Sequence, residues 1–144
     1  MTTAIDTIEA LRTCLSDTLH GYEQVLKVEP GSELAPLFRR MSALHLAAGD
    51  ELNAFLTDMG EAVDEDGSSM STTHQLVSDA PPMIVGGGQS LLLSFASSEE
   101  RNLRAYDDAL QAGAWDSLLE TALIAQRDRL QAAIAEMRHM DAAV

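Results

Sequence analysis

Apolar residues recur along most of this chain at intervals of three and four, the spacing that gathers them on one face of an α-helix. Between Ile5 and Leu26 the series is Ile8, Leu11, Leu15, Leu19, Tyr22 and Leu26. Asp6 and Glu9 stand at capping-box spacing near its start, and Glu29-Pro30-Gly31-Ser32 breaks it. A second stripe runs through Leu34, Leu37, Phe38, Met41, Leu44, Ala48, Leu52, Phe55 and Met59, with Gly60 placed to end it. The third, between Ser90 and Ala112, contains Leu92, Phe95, Leu103, Tyr106 and Leu110, and the acidic Glu99 falls on the same face. After Gly113 the fourth face reads Trp115, Leu118, Leu119, Ala122, Leu123, Gln126, Leu130, Ala133, Ile134 and Met137. The pattern thus predicts helices over 4–28, 33–59, 90–112 and 114–140, and no alternating segment is long enough for a sheet.

Residues 60–89 change character, with an acidic run, a Ser/Thr cluster, Pro81-Pro82 and Gly86-Gly87-Gly88. They predict a long irregular crossover, holding one short helix around Ser71 to Ser78 and open to proteolysis. Short links within each helix pair and a long link between the pairs describe an all-α, antiparallel four-helix bundle of two hairpins. A chain of 144 residues can bury enough apolar surface to form it as one domain, 1–144, without disulfides.

Charge narrows the partners. Twenty-three acidic residues against nine basic ones give a formal net charge of -14, which repels phosphate backbones and anionic lipid, so no nucleic-acid partner is expected. The first residues lack the basic and apolar regions of a signal peptide, and no stretch reaches the roughly 20 apolar residues that cross a bilayer. The single cysteine, Cys14, lies in an apolar-periodic stretch and reads as a buried thiol. A cytoplasmic protein with no membrane attachment is the expectation.

Four features in order carry a family likeness: Asp17-Thr18-Leu19-His20-Gly21-Tyr22, Leu37-Phe38-Arg39-Arg40, the lone His74, and Ser98-Glu99-Glu100 followed by Leu103 and Ala105-Tyr106. Over nearly the whole chain they resemble a bacterial ferritin-like family of unknown function. The resemblance implies the ferritin-like bundle fold. Ferritin-like carboxylate proteins hold two metals through a Glu from each of two helices and a Glu-x-x-His pair from each of the other two. Laid on this chain, the inward positions at mid-bundle are Leu19, Leu44, Glu99 and Ile134, and hydrocarbon cannot coordinate. The expectation is no metal and no cofactor; a reduced ligand set, if one exists, draws on Glu99, Glu100, His20 and His45.

Glu99 on an apolar stripe is expected either to find a hydrogen-bonding partner such as Gln126 or His20 or to be protonated, and if it is buried and hydrogen-bonded Glu99→Gln is expected to be tolerated or stabilising. Glu136-Met137-Arg138-His139 matches Glu-x-x-His but lies in the last turn, where His139 reads as a cation favourable at a helix C-terminus. His45 invites comparison with histidine phosphotransfer bundles, whose exposed His is followed by Lys and Gly; here Ala48 and Gly49 stand in those places, and the competing reading is a histidine at the solvent edge. Asp64-Glu65-Asp66-Gly67 has part of a calcium loop, with Thr73 where the bidentate Glu belongs, and reads as solvated acidic loop. The triple glycine lacks a following Lys-Ser or Lys-Thr and reads as a flexible link. The expected function is therefore non-enzymatic: a structural or interaction protein whose partner is another protein or a second copy of itself in a homodimer. The alternatives are a metal-binding, di-iron-type protein with the reduced ligand set, or a phosphotransfer module at His45.

Overall fold

The computed structural model describes residues 4–60, 87–113 and 115–142. Four helices account for almost all of them: α1 (Ala4–Val28), α2 (Ala35–Asp58), α3 (Gly87–Ala112) and α4 (Ser117–Ala142). There is no strand among the described residues. At 1.5 Å of rise per residue each helix is about 36–39 Å long, so the four match in length and can pack along their whole extent.

The ends of the helices follow from local chemistry. The Pro30-Gly31 turn closes α1, Ser32 Oγ accepts the Leu34 amide at 3.1 Å, and Pro36 sits in the first turn of α2, where its missing N–H costs nothing. α2 stops at Gly60, whose φ of 83° is the left-handed conformation that only glycine adopts without strain. α3 starts at Gly87, earlier than the apolar pattern predicts, so Gly87 and Gly88 are helical and not link residues. α4 starts at Ser117, later than predicted, because Asp116 caps it: its Oδ1 accepts the Leu119 amide at 2.9 Å. Trp115 therefore precedes the helix, and its Nε1 donates to the Ala109 carbonyl at 2.7 Å, filling an acceptor near the end of α3. A Cβ on Gly113 would lie 2.9 Å from that of Ala4, so glycine here allows the start of α1 to approach the end of α3.

α1 packs against α2 and α3, α3 also packs against α4, and α2 meets α4 only sparsely. Contacts set the directions. Thr18 meets Asn102 while Ala4 meets Gly113, so α1 and α3 are antiparallel. Phe38 packs against Phe95 with tilted rings and His45 bonds Glu99, so α2 and α3, diagonal in the bundle, run the same way. The expected crossover, its short helix, His74 and the acidic loop at Asp64 lie outside the described residues.

The core is apolar at both ends and polar in the middle. Tyr22, Phe38 and Phe95 form an aromatic cluster with ring centroids 4.2–5.4 Å apart. Ile8, Leu11, Leu52, Leu56, Leu119 and Leu123 are fully buried toward the other end. Several positions expected to point inward do not. Leu19, Leu44, Leu103, Leu110 and Phe55 are only half-buried, Met59 and Leu118 are exposed, and of the four expected mid-bundle positions Glu99 and Ile134 are buried. Their places are taken by Thr18, His45, Asn102 and Leu56. One residue is 100° of helix rotation, so choosing the more hydrophobic of two neighbours shifts the inward face away from the polar residues that occupy it.

Candidate functional site

Glu99 lies at the middle of α3 with no exposed surface. A carboxylate so placed is stable only if its lone pairs are used. Three helices supply the donors. Tyr22 of α1 donates its phenol O–H to Oε2 at 2.6 Å, His45 of α2 reaches both oxygens from Nε2 at 2.9 and 2.7 Å, and Asn102, one turn along α3, donates Nδ2 to Oε1 at 2.8 Å. All four distances lie within the range of well-formed hydrogen bonds. Asn102 also donates to Thr18 Oγ1 at 3.0 Å, and the Thr18 hydroxyl in turn donates to the Cys14 carbonyl. The cluster thus ties α1, α2 and α3 together at one level.

The His45 ring stacks near Tyr22, and its side chain is fully buried; its Nδ1 has no partner. A neutral imidazole that donates from Nε2 meets this geometry, since a second N–H would have no acceptor. Burial, then the charge of Glu99 and the hydrogen bond to it, push the Tyr22 phenol far above the usual range. Tyr106, two turns beyond Glu99, is also pushed up, first by burial and then by Glu99. It donates to Gln126 Oε1 at 2.8 Å, and Gln126 Nε2 donates to Glu51 at 2.6 Å, so a second polar step runs from the core to the open side between α2 and α4. Burial and the neighbouring Asp17 likewise raise the Cys14 thiol, despite the opposing effect of Arg101.

Of the reduced ligand set Glu99, Glu100, His20 and His45, the structure brings together Glu99 and His45. Glu100 is on the outer edge of α3, paired with Arg138 at 2.6 Å, and His20 is half-buried on α1 and shares no hydrogen bond with Glu99, His45 or Tyr22. The partners expected for Glu99 were Gln126 or His20; they are instead Tyr22, His45 and Asn102, while Gln126 serves Tyr106. His45 is not at the solvent edge but sealed in the core, closed to any phosphoryl donor. Glu136 pairs with Arg40 across α4 and α2 at 2.9 Å, and His139 is exposed. Among the described residues no group of three His, Cys, Asp or Glu side chains could hold a metal ion. Asn102 and Thr18 were missed. The available signal was spacing: Glu99 and Asn102 are three apart on one face, as are Thr18 and Leu15.

No helix of the described residues is long and apolar enough to cross a membrane. Residues 3–112 match the model of a family described as a domain of unknown function, DUF2383. No curated protein and no solved structure matches the chain.

Proposed function

We propose that this chain, which belongs to the DUF2383 family of domains of unknown function, is a non-enzymatic, metal-free structural or interaction protein with a ferritin-like bundle. The buried cluster acts in it as a clamp that sets how three helices align. Ferritin-like topology is supported by α2 and α3 running the same way, as in bundles whose two hairpins are joined by one long crossover. The partner is a protein, either another chain or a second copy, and the cytoplasm is the compartment proposed for it.

One observation carries the clamp reading. The polar hydrogens of Tyr22 and Asn102 and the Nε2 hydrogen of His45 are already spent on Glu99 and Thr18, so these donors are satisfied without a bound group, and His45 Nδ1 alone in the cluster lacks a partner. Binding a metal at Glu99 would displace these donors, and the other members of the reduced ligand set, His20 and Glu100, are engaged elsewhere on the bundle or outside the cluster. The test is metal content of protein purified without a tag, with thermal melts in the presence and absence of iron, manganese and zinc. No stoichiometric metal and unchanged melting are expected; a bound equivalent that raises the melting temperature would overturn the reading in favour of the metal-binding alternative.

A further inference from the structure

We propose that Tyr22 is a redox-active side chain, giving an electron to an outer-sphere one-electron oxidant while its phenol proton passes to Glu99. In this step the O–H bond of Tyr22 breaks and a new O–H bond forms on Glu99 Oε2. Tyr22 becomes a neutral phenoxyl radical, Glu99 a neutral carboxylic acid, and the oxidant is reduced by one electron. The proposal goes beyond the clamp and does not depend on whether the protein has a partner.

Geometry provides the proton acceptor. The phenol oxygen is 2.6 Å from the carboxylate oxygen, so the proton has only to shift along an existing hydrogen bond. Asn102 and His45 hold the carboxylate from its other sides and fix that alignment. Electrostatics favour the same outcome. Simple loss of the proton would place a phenolate beside a carboxylate in a buried site, which is why burial and Glu99 push the phenol's ionisation up. Coupled loss of an electron and transfer of the proton instead turns a buried negative charge into a neutral pair, and a low-dielectric core favours the neutral state.

The chain contains its own comparison. Tyr106 is equally buried, but its phenol bonds the amide oxygen of Gln126, a neutral acceptor that does not take up a proton. Trp115 donates to a backbone carbonyl, which is no better a base. Of these three oxidisable rings only Tyr22 faces a carboxylate. Its stacking against Phe95, with Phe38 and His45 alongside, keeps water from the radical.

The experiment is oxidation of the full chain by photogenerated ruthenium(III) tris-bipyridine, read by electron paramagnetic resonance and by the tyrosyl absorbance, in a Trp115→Phe background. A tyrosyl signal is expected that survives Tyr106→Phe and disappears in Tyr22→Phe. Its rate of formation should fall by about a hundredfold or more in Glu99→Gln, the usual scale for losing a positioned base. In the protein without either tyrosine substitution, formation should slow in heavy water, a readout that needs no variant at the cluster. A signal that persists in Tyr22→Phe, that is lost in Tyr106→Phe, or that forms equally fast in heavy water would overturn the proposal.

Discussion

At the scale of single residues, Glu99 decides the character of the core, and its three donors alter what substitution there does. In Glu99→Gln one accepting oxygen becomes an amide nitrogen that faces donors, so the variant should lose about 1–3 kcal/mol, against the sequence expectation of tolerance. Glu99→Leu strands all three donors and should lose about 3–5 kcal/mol, both measured by urea denaturation. The two tyrosines provide a spectroscopic check. Tyr22 and Tyr106 are the only tyrosines, and both phenols are raised by burial first, so the folded protein should show no phenolate absorbance as pH passes the ordinary value of about 10. The sign of the linkage follows: the unfolded chain releases these protons first, so the stability they contribute is full below about pH 10 and declines as pH rises above it. Phenolate appearing at about pH 10 without loss of helical circular dichroism would contradict the burial of these rings.

At the scale of elements, the helix ends depend on few side chains, and their removal tests the boundaries. Asp116 is the cap of α4, so Asp116→Ala should cost about 1 kcal/mol, read as a shift in the denaturation midpoint with an unchanged slope. Gly113→Ala brings a methyl to 2.9 Å from Ala4, and α1's first turn must move to admit it. Its cost should be of the same order, about 1 kcal/mol, and should fall if Ala4 is replaced by glycine. The boundaries of α3 and α4 were the least legible in the sequence. Glycines at 87 and 88 read as breakers although the helix includes them, and Trp115 read as the first inward residue although it lies before the cap. Propensity and hydrophobicity are averages over contexts, whereas a boundary is set by one hydrogen bond or one close approach.

At the scale of the whole molecule, an excess of fourteen negative charges on one bundle makes self-repulsion a standing cost, screened by salt. Melting temperature should therefore rise with sodium chloride at neutral pH; a fall would mean that exposed ion pairs such as Arg40 with Glu136 outweigh the repulsion. For the described residues the sequence by itself determined the number and type of elements, because the three-four spacing of apolar residues is a property of the chain alone and the two short links force neighbouring helices together. It also placed Glu99 on an inward face, since a single charge in an apolar stripe is visible without coordinates. Only the tertiary structure decided which residues meet it. Leu44 and His45, or Leu19 and Thr18, are adjacent in sequence and compete for the same inward place, and the winner is whichever bonds the polar cluster brought from another helix, His45 to Glu99 and Thr18 to Asn102. That choice depends on the relative rotation and axial alignment of three helices. No periodicity within one of them contains it, because the free energy of a buried polar group belongs to the set of partners and not to any single stretch of chain.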